Sequence, residues 1–138
     1  MLRALGFGAV TVATHVALMA LLVGYEGGSR ALSVGLETLA RDHGPGVVLA
    51  ALGAAITAGF AGATLHSRGQ LVLGFAAVLG LDLLVALLVV AAVGELDLSA
   101  TPNVFAAATG LGSQLAAALI GGVTGYGFVR RRRSHVGL

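Results

Sequence analysis

The sequence predicts an all-α integral membrane fold: four transmembrane helices in an antiparallel bundle, with a short interfacial amphipathic helix between helices 1 and 2. Three observations carry this prediction. The 138 residues are 57% hydrophobic and only 10% charged, with a mean hydropathy of +0.98. A soluble domain carries about 25% charged residues, and so few charges do not cover the surface of a soluble fold of this size. The apolar residues fall into four segments, 5–24, 46–65, 71–94 and 104–129. Each has about the 20 residues needed to cross a hydrocarbon core of about 30 Å. The arginines, finally, are divided unevenly between alternate ends of these segments.

Segment 5–24 follows Arg3 and resembles the start of a signal peptide, but its apolar run is long for one and no A-x-A site precedes Tyr25. It reads as a retained first span. Residues 25–45 form a polar connection. Within them, segment 29–42 has Leu32, Leu36 and Leu39 at helical spacing, with Glu37 and Arg41 in the favourable i,i+4 order. That pattern suits an amphipathic helix lying in the interface. Gly44-Pro45-Gly46 then ends it and opens the second span.

The connection from His66 to Gln70 is very tight and predicts a hairpin between the second and third spans. The third connection, 95–103, holds Glu95, Asp97 and Pro102. No proline falls inside any of the four apolar segments, and backbone in lipid must satisfy its own hydrogen bonds, so all four are helices. The chain closes with a basic tail, residues 130–138.

Orientation follows from the arginines. Four spans put the N-terminus, the second connection and the C-terminus on one side. That side holds Arg3, Arg68 and Arg130, Arg131, Arg132 and Arg133, six arginines and no acid. The opposite side holds two arginines against Glu26, Glu37, Asp42, Glu95 and Asp97. The positive-inside rule places both termini in the cytoplasm. The Arg130–Arg133 run also reads as a stop-transfer anchor attracting anionic lipid.

Small residues mark packing faces. Ser113, Ala117, Gly121 and Gly125 recur every four residues in the fourth span, beside Gly110, Gln114, Ala118 and Gly122. Ala50, Ala54, Ala58 and Gly62 do the same in the second. Such faces let helix backbones approach closely, either inside one bundle or, through Gly121 and Gly125, between copies. The third span is dominated by Leu and Val instead, and is expected to face lipid.

Asp82 is the only charged residue among residues 71–94 and sits at their midpoint. A carboxylate there costs roughly 2.5 to 3.5 kcal/mol on insertion scales, which marks it as a functional candidate. Fifteen of those 24 residues are Leu, Val or Phe, enough to insert the span regardless. Thr14, His15, Thr57 and Gln114 fall within about one helical turn of the same depth. They form an expected midplane polar layer, with His15 as the expected partner of Asp82.

Much chemistry is excluded. There is no cysteine, hence no disulfide, thiolate metal site or cysteine nucleophile. Gly6-Phe7-Gly8 and Gly110-Leu111-Gly112 lie inside apolar spans and lack a third glycine, so neither binds a dinucleotide. His15, His43, His66 and His135 fall in four different places, and no metal or other cofactor is expected. A net charge of +2 points to no nucleic-acid partner. The expected partners are the bilayer, including anionic lipids, and a membrane-protein partner or further copies of the chain. The leading expectation is a non-enzymatic accessory or structural subunit, or a self-associating helical bundle, in the cell membrane. The alternative is a minimal proton or cation transporter or channel using His15, Asp82 and Gln114.

Overall fold

The computed structural model describes residues 1–27, 44–93 and 101–135. The expected amphipathic segment 29–42 lies outside them. Every regular element within them is a helix: α1 (Leu2–Gly27), α2 (Gly44–Ala63), α3 (Arg68–Val93) and α4 (Thr101–His135). Two of these carry stretches long and apolar enough to cross a bilayer, Leu2–Leu21 in α1 and Arg68–Leu88 in α3. Val47–Ala63 in α2 is a shorter apolar helix.

The helix ends have local causes. Pro45 and Pro102 each occupy the second position of their helix, where the missing N–H removes no helical bond. Ser67 caps α3: its Oγ accepts from the Gln70 N–H at 3.2 Å, while Gln70 Oε1 accepts from the His66 N–H at 2.8 Å. This is a capping-box arrangement shifted by one donor, and it starts α3 before the apolar run begins. α4 differs most from expectation. It continues through Arg130–Arg133 to His135, so the first part of the basic tail is helical. Arginine is a good helix former, and cations in a last turn complement the helix dipole.

Packing does not follow chain order. The most extensive interface joins α2 to α4; α1 packs on both α2 and α3, and α3 meets α4 more sparsely. α2 and α3 share the tight connection but make no comparable interface. The hairpin expected from that connection is therefore opened, with α1 and α4 packed between its arms. The reason lies in the side chains, because the small residues of α2 find their match in α4.

That match is close. A Cβ at Gly121 would strike the Ala55 carbonyl oxygen, and one at Gly125 the Gly59 carbonyl oxygen. A Cβ at Gly62 would lie 2.6 Å from the Gly122 carbonyl oxygen. The increments agree (55 to 59 against 121 to 125), so α2 and α4 run parallel. Ala54, Ala58, Ala117 and Ala118 are buried alongside, and Gly62, Gly121 and Gly122 with them. Such approach maximises dispersion contacts between the two backbones.

Phe7 anchors the other side. It is the largest fully buried side chain. Its ring fills space left by Gly74 of α3 and Gly122 of α4, where an added Cβ would fall 2.7 Å from ring carbons. Phe75 meets it edge-on, with centroids 5.7 Å apart. Gly8 brings α1 against α3 at Ala77, and Gly53 of α2 leaves room for Leu18 of α1. The outer surface is apolar: Leu79, Leu83, Leu84, Leu87 and Leu88 of α3, and Leu52, Ile56 and Phe60 of α2, are all exposed.

Candidate functional site

Two groups of polar side chains stand out from this apolar body. The first lies partway along the helices. His15 of α1 is buried, and its Nε2 lies 3.3 Å from Ser113 Oγ of α4. Gln114, the next residue on α4, is also buried and is the side chain that approaches the Asp82 carboxyl of α3. The expected His15–Asp82 pair is therefore replaced by two pairs, His15 with Ser113 and Asp82 with Gln114. Both are organised by consecutive residues of α4. Successive helical residues project about 100° apart, so Ser113 serves α1 while Gln114 serves α3.

The Asp82–Gln114 pair is incomplete. Asp82 Oδ2 and Gln114 Nε2 are each buried without a hydrogen bond of good geometry among the described residues. An acceptor and a donor thus approach each other without closing the bond between them.

Thr57 does not join this layer. Its hydroxyl donates to its own helix, with Gly53 O at 3.2 Å and Ala54 O at 3.0 Å. Thr14 is half-buried. Thr11, four residues before His15 and on the same face of α1, is fully buried and donates to Phe7 O at 2.8 Å.

The expected packing residues Ala54, Ala58, Gly62, Ala117, Gly121 and Gly125 lie in the α2–α4 contact or buried in the core beside it. The Gly121/Gly125 motif is thus occupied within the chain.

The second polar group gathers one end of the molecule. Arg3 Nη1 donates to Thr64 O at 3.0 Å and lies 2.7 Å from His66 Nδ1, tying the start of α1 to the α2–α3 connection. Beside that connection is a half-open pocket of about 650 Å³. It is lined by His66, Ser67 and Arg68 on one side and by Tyr126, Arg130 and Arg133 of α4 on the other. Arg131 and Arg132 do not line it, and the Arg132 guanidinium stacks on Phe128 at 4.8 Å. The described residues contain no cluster of His, Asp or Glu able to hold a metal ion.

No family model, curated protein or solved structure matches the chain.

Proposed function

We propose that this chain is a four-span protein of the cell membrane, with both termini cytoplasmic, that acts as a non-enzymatic accessory or structural subunit. The observation that carries this reading is the division of labour among the helices. The small-residue faces of α2 and α4 are spent on each other. α3 is left with a broad exposed face of Leu79, Leu83, Leu84, Leu87 and Leu88. Such a face is stable against lipid tails or an apolar helix of a partner, and is a liability in water. Arg3, Arg68 and Arg130–Arg133 lie at one end of the molecule, the pattern expected of a cytoplasmic end. The antiparallel order of consecutive spans follows from the same assignment. Self-association, if it occurs, uses α3 rather than Gly121 and Gly125.

A second reading draws on a different observation. The buried, incompletely bonded Asp82–Gln114 pair would place an ionisable group at the membrane midplane, as proton and cation paths do. Reconstitution separates the two. The subunit reading expects proteoliposomes of the purified chain to show no pH-driven flux, and Asp82→Asn to leave its size in mild detergent unchanged. Flux in the wild type that Asp82→Asn abolishes contradicts it and establishes the transport reading.

A further inference from the structure

We infer that the pocket between the α2–α3 connection and the end of α4 is a binding site for a phosphate group. Arg68 is more than sixty residues from Arg130 and Arg133 in the chain, yet all three line one cavity. Among the described residues no carboxylate lines it with them. Like charges gathered without a counter-charge repel one another, and an anion in their midst reverses the sign of that interaction. Guanidinium forks suit a phosphate in particular, because each offers paired N–H donors to its oxygens.

Neutral groups fit the same ligand. Ser67 and Arg68 form the N-terminal turn of α3, where unpaired N–H groups and the positive end of the helix dipole favour anions. Tyr126 brings a hydroxyl to the opposite wall. The His66 ring is in contact with the Arg3 guanidinium, 2.7 Å away. Leu65 and Val129 complete the lining with apolar surface, which gives an acyl chain or glycerol backbone somewhere to rest.

The phosphate can come from an anionic lipid headgroup or from a soluble phosphorylated molecule. The lipid source rests on the membrane reading, whereas the site itself does not. Two double variants remove equal charge. Arg130→Gln/Arg133→Gln removes two of the three arginines that line the pocket, and Arg131→Gln/Arg132→Gln removes none of them. The purified full-length chain is examined by native mass spectrometry after incubation with phosphatidylglycerol, and separately with glycerol 3-phosphate. The pocket variant should lose bound ligand by on the order of tenfold, while the control variant retains it. Loss confined to phosphatidylglycerol assigns a lipid site, and equal loss of glycerol 3-phosphate assigns a general phosphate site. Equal weakening by both double variants, or no retention by the wild type of either ligand, overturns the proposal. If glycerol 3-phosphate alone binds and depends on the pocket, the site stands even where the membrane reading has failed.

Discussion

Gly125 of α4 lies so close to Gly59 of α2 that a methyl group at Gly125 would occupy the position of the Gly59 carbonyl oxygen. The same holds one turn earlier, between Gly121 and Ala55. The α2–α4 pair is therefore a backbone contact, and the rest of the fold is arranged around it.

Gly121→Ala and Gly125→Ala should each destabilise the chain by about 1–3 kcal/mol, because the added methyl must push two backbones apart. Gly112→Ala and Gly127→Ala meet nothing within 4 Å. They should be neutral or stabilise by up to about 1 kcal/mol through helix propensity. Thermal unfolding in one detergent, followed by circular dichroism, ranks the four.

Phe7→Ala should cost about 3 kcal/mol or more, as it empties the largest buried site. Gly122→Leu should be comparably damaging from the other side, since the new side chain meets the Phe7 ring. Combining the two should recover part of the loss. Additive losses in urea or detergent-unfolding titrations would show that ring and glycine do not share one space.

Ser67→Ala should cost about 1 kcal/mol through loss of the α3 cap. Ser67→Asp should retain stability, because aspartate caps the same N–H. Hydrogen exchange at the Gln70 amide provides the local readout, with faster exchange expected in the alanine variant alone.

Gln114→Leu should destabilise the chain by about 1 kcal/mol or less, because the Asp82 Oδ2 it leaves behind already lacks a closed hydrogen bond. The double variant Asp82→Leu/Gln114→Leu should be near neutral or more stable than the wild type. A double variant no better than Gln114→Leu would mean that Asp82 has a partner other than Gln114.

The four helices were legible in the sequence because long apolar runs without proline leave little choice of structure. Their pairing was not. A connection as short as 66–70 restricts how far apart two helix ends lie, but not which faces pack. Here the small residues of α2 prefer α4, and α3 is left to α1. The polar layer shows the same limit. Counting residues from span midpoints gives depth, which put His15, Asp82 and Gln114 together. It gives no rotation about the helix axis, so His15 was matched to Asp82 when Ser113 and Gln114 divide them. The Ser67–Gln70 cap is an S-x-x-Q signature that directly precedes the apolar run beginning at Leu71. The length of α4 was hidden for the converse reason, since hydropathy ends at Val129 while helix propensity does not.

The absence of cysteine makes single-cysteine accessibility the most direct test of the membrane arrangement. Leu2→Cys and Ser134→Cys should be shielded from a membrane-impermeant maleimide in intact cells and react after permeabilisation. Ser99→Cys, in the connection between α3 and α4, should react in intact cells. Labelling of Ser134→Cys and Ser99→Cys from the same side, or recovery of the protein in the soluble fraction, would contradict a four-span chain with both termini in the cytoplasm.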